Sequence, residues 1–269
     1  ETKTLSVWLT GGEMPKGTYD PDKEGIPIML AMKLSPNAYF ERVNRLLNDN
    51  PAYPEDGELL SELAELGIGA GCCFNSSLSP VDLEKFWQEM KNSLLPKLIE
   101  ETSCFMVRNG NFKFYGEPIS RFGTQYGYRC LVAIAGFGAN PVDVAVYLKA
   151  EEDNKGEKLD AKNRYLLHFN ADGLPPVGKY GFWSITAYGD DDFLISNPIE
   201  RYAISNRNDF RLNDDNSLDL ILQTEEPNEN RENWLPVGER GFHLYLRIYR
   251  PGNSVLNGTW KAPKITKID

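Results

Sequence analysis

The stretch Asn233–Pro251, NWLPVGERGFHLYLRIYRP, sets His243, Tyr245, Arg247 and Tyr249 at every second position, with Phe242, Leu244, Leu246 and Ile248 between them. A period of two puts the two sets on opposite faces of a strand. The polar set offers an imidazole, a guanidinium and two phenols, which can move protons and hold a carboxylate or a sugar. A second run, RYLLHFN, repeats the pattern: Arg164, Leu166, His168 and Asn170 alternate with Tyr165, Leu167 and Phe169. Two such polar faces turned into one concavity would form a site. His243, Tyr245, Arg247 and His168 are then the candidate catalytic groups, and Arg164, Tyr249 and Arg201 candidate ligand contacts. The plainer alternative is that each is the solvated side of a half-buried strand. Trp183 and Trp234 join the candidate ligand contacts; with Trp260 they stand at strand ends beside glycine, proline or asparagine. There they either stack on a sugar ring or plug the end of a sandwich.

Other chemistry is thin. His168 and His243 are the only two histidines, which rules out a three-histidine or HExxH zinc site. No metal site and no cofactor are expected. There is no GxSxG nucleophile elbow, and GIGAG (67–71) and GFGAN (136–140) lack both the Walker lysine and the dinucleotide fingerprint, so both read as turns. The acidic loops Gly189–Asp192 and Asn213–Asn216 suit tight turns, with a loop calcium as the alternative. Asp143, Asp172 and Glu200 are candidates for paired carboxylates, but the separation such a pair needs is spatial. Any enzyme here would be a metal-independent hydrolase or lyase. Cys72, Cys73, Cys104 and Cys130 contain no CxxC pair. They read as buried, reduced thiols, with a Cys104–Cys130 bridge as the alternative in an oxidising compartment.

The elements that would carry these residues fall into three stretches of the 269 residues. Residues 1–34 read as the tail of a β-domain: a strand over 5–10, a long turn and a second strand, IPIMLAMKL. A first strand with nothing before it leaves an edge to be covered, which hints at further sequence upstream. Residues 35–103 read as three helices. The first is capped by Ser35-Pro36, and the second is capped by Asp56 and stopped by Gly67. The third is capped by Ser79-Pro80, with Leu83, Phe86, Met90 and Leu94 on its apolar side and Pro96 to kink or break it. From 104 to 269, short apolar runs at 128–136, 142–149, 164–169, 181–188, 193–196, 201–204, 218–223 and 242–249 predict a jelly-roll-like β-sandwich. The expected class is therefore mainly β with a helical insert.

Net charge is −10, from 29 basic and 39 acidic residues, and the basic residues are scattered. That argues against nucleic acid as a partner. No apolar run approaches the roughly 18 residues that span a bilayer.

The C-terminal half also carries an ordered series of motifs: YRCLVAIAGFGANPVDVAVY (128–147), YLLHFNADGLPPVGKYGFWSITAYGDDDFLISNPIERYAI (165–204), NWLPVGERGFHLYLRIYRP and LNGTWKAP (256–263). This series resembles the bacterial and algal-virus family in which a domain of unknown function 1254 precedes a domain of unknown function 1214. Residues 104–265 match its 1214 part and 40–71 the helical stretch joining the two. Asn216 in NDDNSLDL stands where the family usually has glycine. The resemblance implies a jelly-roll protein, distantly like peptide-N-glycosidase sandwiches, that is periplasmic or secreted; it carries no catalytic residues onto this chain. The expectation is a protein that binds or processes a glycan or other polar organic ligand. The alternative is a non-catalytic assembly module whose aromatic face is a homo-oligomer interface.

Overall fold

The computed structural model describes residues 27–268. The expected strand over 5–10 and the turn after it lie outside the described residues. The chain forms two compact units, one ending at Leu95 and one beginning at Pro96.

The first unit is helical. The run expected as a second strand, IPIMLAMKL, instead forms α1 (Pro27–Met32). Its methionines, leucine and alanine are good helix formers, and so short an apolar run carries no period that distinguishes strand from helix. Helix α2 (Pro36–Asp49) starts as expected, with Ser35 Oγ accepting from the Ala38 N–H. Buried Asn44 ties α2 to the loop beyond the next helix: its amide donates to the Gly67 and Cys72 carbonyls, and its oxygen accepts from the Gly69 N–H. Helix α3 (Gly57–Glu65) follows a single 3-10 turn; Asp56 holds the N-cap position but its side chain makes no capping hydrogen bond, contrary to expectation. Gly67 does stop α3, at φ +72°, with its N–H on the Ala64 carbonyl and the Ile68 N–H on that of Leu63.

Helix α4 (Pro80–Glu89) is capped by Ser79, whose Oγ accepts from the Asp82 N–H and donates to the Asp82 carboxylate. Its buried stripe is Leu83 and Trp87, whereas Phe86 and Leu94, expected there, are exposed. Trp87 takes the interior because it packs on Tyr39 and Phe40 while its indole N–H donates to the Leu34 carbonyl. Pro96 does not break the helix. A π turn (Met90–Leu94), in which the Leu95 N–H reaches back to the Met90 carbonyl, leads into α5 (Leu95–Glu101), so proline falls in a first turn where no N–H is required.

The second unit is a two-sheet sandwich. One sheet has the order β1 (Met106–Asn109), β2 (Phe112–Tyr115), β3 (Ala145–Ala150), β9 (Phe242–Pro251), β5 (Val177–Gly189), β6 (Ala203–Ser205). The other runs β10 (Lys264–Ile268), β4 (Arg164–Phe169), β7 (Leu218–Gln223), β8 (Trp234–Pro236). Every pair is antiparallel except β7–β8. The mainly β class with a helical insert therefore holds. Alternation supplies the core: Val146 and Leu148 from β3, Leu244, Leu246 and Ile248 from β9, and Ile185 from β5 join Leu167 and Phe169 of β4 and Leu220 and Leu222 of β7.

Three expectations change here. Residues 128–136 form helix α6 (Tyr126–Ala135), because Tyr128, Leu131 and Val132 repeat at helical spacing and bury one side, packing with Ile119 into a second small core. Residues 193–196 contribute one isolated bridge, Tyr188–Leu194, beyond a turn in which Asp192 takes φ +60°. The thiols are free but not buried: Cys72 and Cys130 are half-buried, Cys73 and Cys104 exposed. Strands β1, β2, β8 and β10 were not among the expected runs. Each is three to five residues long, too short to show a period in the sequence.

Candidate functional site

The two polar runs sit in different sheets of one sandwich. Tyr165, Leu167 and Phe169 share the core with Phe242, Leu244, Leu246 and Ile248, so the alternate residues of β4 and β9 point away from each other. His168 and Arg164 stand on the outer face of the four-stranded sheet; His243, Tyr245, Arg247 and Tyr249 stand on the outer face of the six-stranded one. The common concavity expected from the sequence does not exist. Trp183 and Trp234, 2% and 3% exposed, are core residues and present no ring to a ligand. Arg201 is structural as well: its guanidinium donates to the carbonyls of Arg231 and Trp234 and holds two loops together. Asp143 is occupied in an ion pair with Arg121.

On the four-stranded sheet, His168 lies opposite Asp219 across β4–β7, with Nδ1 2.6 Å from its carboxylate. Asn213 donates to the other carboxylate oxygen, and Arg164 Nε donates to Gln223. His168 is nearly half exposed and stands on an open sheet.

The six-stranded sheet is richer. Register sets Arg247 between Tyr147 of β3 and Ser184 of β5, Tyr245 between Lys149 and Thr186, and Tyr249 beside Phe182; Tyr188 of β5 faces His243. These cross-strand neighbours form a continuous aromatic and basic surface. Tyr249 stacks on Phe182 at 4.5 Å and meets Tyr147 edge-on, and Arg207 lies 4.0 Å above the Phe182 ring. The Arg247 guanidinium lies 5.0 Å from the Tyr245 ring and 5.3 Å from that of Tyr188, and donates to the Tyr188 hydroxyl at 2.9 Å. Burial raises the Tyr245 and Tyr249 pKa values, so both phenols stay protonated donors at neutral pH.

The cations on this face differ in one respect. Lys113 and Lys149 both pair with Glu151, whose carboxyl is held down to about 2, chiefly by the hydrogen bond from Lys113. Arg247 has no carboxylate partner among the described residues. It is half-buried, its neighbours are rings and hydroxyls, and among the described residues one of its five N–H donors is used, by Tyr188.

His243 is 6% exposed, and its Nε2 lies 3.1 Å from Asp192 Oδ1 without hydrogen-bond geometry. Burial first, and Lys149 second, lower its pKa, against Asp192, which raises it. The ring stacks beside Tyr188 and meets Tyr245 edge-on, and the expectation that it would pass protons to a bound ligand is not met by a nitrogen shut away from the surface. The sequence pattern missed Tyr147, Lys149, Ser184 and Tyr188. They lie on other strands, and only register brings them beside β9.

No helix among the described residues is long and apolar enough to cross a membrane. No curated protein matches the chain in sequence. The crystal structure of the VPA0106 protein from Vibrio parahaemolyticus is similar, at a TM-score of 0.63 and 23% identity, over 98% of this chain and 61% of that one. At that identity the likeness is one of fold, and the chain spans about three-fifths of the Vibrio protein's length. A putative uncharacterized protein from Burkholderia cenocepacia aligns at a TM-score of 0.35 and 13% identity, over 72% of this chain and 46% of that one. In sequence, residues 144–253, which run from β3 through β9, match the family described as protein of unknown function DUF1214, and the resemblance expected from the motifs holds over that region.

Proposed function

We propose that the outer face of the six-stranded sheet binds an anionic polar ligand, an acidic glycan in particular, with Arg247 holding the carboxylate or sulfate. The observation that carries this is the half-buried Arg247 guanidinium with no carboxylate partner, set among Tyr147, Tyr188, Tyr245 and Tyr249. A guanidinium removed in part from water and not neutralised is completed by an anion, and its planar fork matches a carboxylate or sulfate. Tyr249 supplies aromatic ring area beside it for a sugar, and Ser184 adds a small hydroxyl. The setting belongs to the same reading: the protein would be periplasmic or secreted, where acidic polysaccharides are met. Binding, not catalysis, is the activity assigned to this surface.

Calorimetric titration with a uronic-acid oligosaccharide and its neutral counterpart tests the reading. The acidic ligand should bind, the neutral one at least about tenfold more weakly, and Arg247→Ala should cost the acidic ligand about ten- to a hundredfold, the range for a charged hydrogen bond. Equal binding of both ligands, or an Arg247→Ala variant that binds as well as wild type, would sink it. A second reading, an interface between copies of the chain, is favoured by Tyr180, which is 78% exposed at the bulge in β5 next to Phe182. Tyrosine and arginine are enriched in interface cores. Sedimentation distinguishes the two: a dimer lost on Tyr180→Ser, with no acidic oligosaccharide bound, supports the interface.

A further inference from the structure

Cross-strand register extends the outer face of the six-stranded sheet beyond Arg247. Arg108 of β1 lies opposite Lys113 of β2, and Lys113 lies opposite Lys149 of β3, whose other neighbour is Tyr245 of β9. Directly opposed residues share a face, so the three cations form a row at right angles to the strands. Arg247 continues it: its guanidinium lies 5.0 Å from the Tyr245 ring, and Lys149 Nζ lies 5.9 Å from the same ring. On one side of the row Tyr115 meets Tyr128 of α6, and the Tyr147 hydroxyl accepts from Asn140. On the other side Asp192 comes within 3.9 Å of Lys149.

Like charges set directly opposite one another cost a sheet stability. Here three stand in succession. Among the described residues, the carboxylates that meet the four cations are Glu151, shared by both lysines, and Asp192. Arg108 is exposed and makes no hydrogen bond or ion pair with any described residue. A charge pattern that folding alone disfavours is the mark of a site completed by a ligand. The strip lies on a chain of net charge −10, so a flexible polyanion is steered to it and repelled elsewhere. Spacing defines the ligand further. Neighbouring strands lie about 4.8 Å apart, close to the length that one sugar ring adds to a glycan, and β9 and β1 are about 14 Å apart. A uronic-acid chain carries one carboxylate per ring and follows that interval.

Resting on the acidic-glycan reading of this face, we propose that the ligand is an extended polyuronate that crosses the strands from Arg247 over Lys149 and Lys113 to Arg108. A two-ring ligand reaches Arg247 and Lys149; four rings are needed to reach Arg108. Calorimetric titration of the whole chain with galacturonate oligomers of two and four rings tests it. The four-ring ligand should bind at least about tenfold more tightly, the gain from an added charged contact. Arg108→Gln, at an exposed position on an edge strand, should bring the four-ring ligand down to two-ring affinity and leave the two-ring ligand unchanged. Arg108→Lys should keep the gain, and Arg247→Ala should weaken both lengths. Equal affinity for the two lengths, or a four-ring affinity indifferent to Arg108→Gln, overturns the extended path and leaves the Arg247 site standing. Binding of neither length removes the Arg247 site and the path with it. A thymidylate oligomer of matching charge that binds as tightly as the four-ring ligand overturns the assignment to a glycan.

Discussion

His243 and Glu151 titrate in opposite circumstances, and each leaves its own mark on stability. Burial holds the His243 pKa below its ordinary 6.5, so the unfolded chain binds a proton that the folded one refuses. Its contribution is present above about 6.5 and is lost as pH falls towards the lower, folded value. The urea midpoint of the wild type should therefore drop between pH 7.5 and 5, and His243→Phe should flatten that drop; parallel curves for the two proteins would refute the assignment. Glu151 works lower. Held at about 2 by Lys113, with Lys149 assisting, it stabilises the fold above its ordinary 4.5, and that contribution fades as pH falls to about 2. Glu151→Gln should lower the thermal midpoint at pH 6, and the gap to wild type should be narrower at pH 3 and close only near pH 2. A gap as wide at pH 3 as at pH 6 would argue against it. At this scale the sequence was legible along one strand and no further. The alternation at 242–249 separated His243, Tyr245, Arg247 and Tyr249 from the core set. It could not show that His243 lies buried, that Tyr188 reaches Arg247, or that Trp183 and Trp234 face inward. Those facts depend on which strands become neighbours.

Helix ends were the most readable elements because their signals are local. Ser35-Pro36, Ser79-Pro80 and Gly67 cap and stop helices where their chemistry requires. Gly67 shows how strictly: a Cβ there would lie 2.3 Å from the Cys73 carbonyl oxygen, in a backbone region at φ +72° that itself costs an L-residue about 1–2 kcal/mol. Gly67→Ala should destabilise the helical unit by more than that, through the clash, whereas Ser79→Ala should cost about 1 kcal/mol as a lost cap. Chemical denaturation followed by helical ellipticity ranks the two, and a Gly67→Ala variant no worse than Ser79→Ala would contradict the geometry. Short apolar runs were the least readable. IPIMLAM and YRCLVAIA are rich enough in apolar residues to satisfy either period; helix propensity favours the first as a helix, and burial of Tyr128, Leu131 and Val132 the second. The third helix shows the same ambiguity in another form. Phe86 and Trp87 adjoin in sequence, and the one that found both ring neighbours and an acceptor for its indole N–H went inside.

At the scale of the whole molecule the two units differ in how they bury apolar surface. The sandwich core is large and draws on both sheets, with Leu148, Leu167, Leu220, Leu244 and Ile248 fully buried. The helical unit centres on Trp87, Leu83 and Ile68 and leaves Leu46, Tyr53, Leu66 and Phe86 substantially exposed. Apolar burial is the main stabilising term, and the chain divides into two compact units. Unfolding should therefore proceed in two steps, with the helical unit yielding at the lower urea concentration, because two-state behaviour belongs to single cooperative cores. Three of the five tryptophans, Trp183, Trp234 and Trp260, lie in the sandwich, so a Trp8→Phe, Trp87→Phe double variant makes fluorescence report on that unit. Helical ellipticity reports mainly on the other. The ellipticity transition should come first and the fluorescence transition second. Within the sandwich, Trp183→Ala should cost about 3–5 kcal/mol through the cavity it leaves, shifting the second transition and not the first. Coincident transitions for both probes, or a Trp183→Ala variant that moves both together, would mean that the two units fold as one.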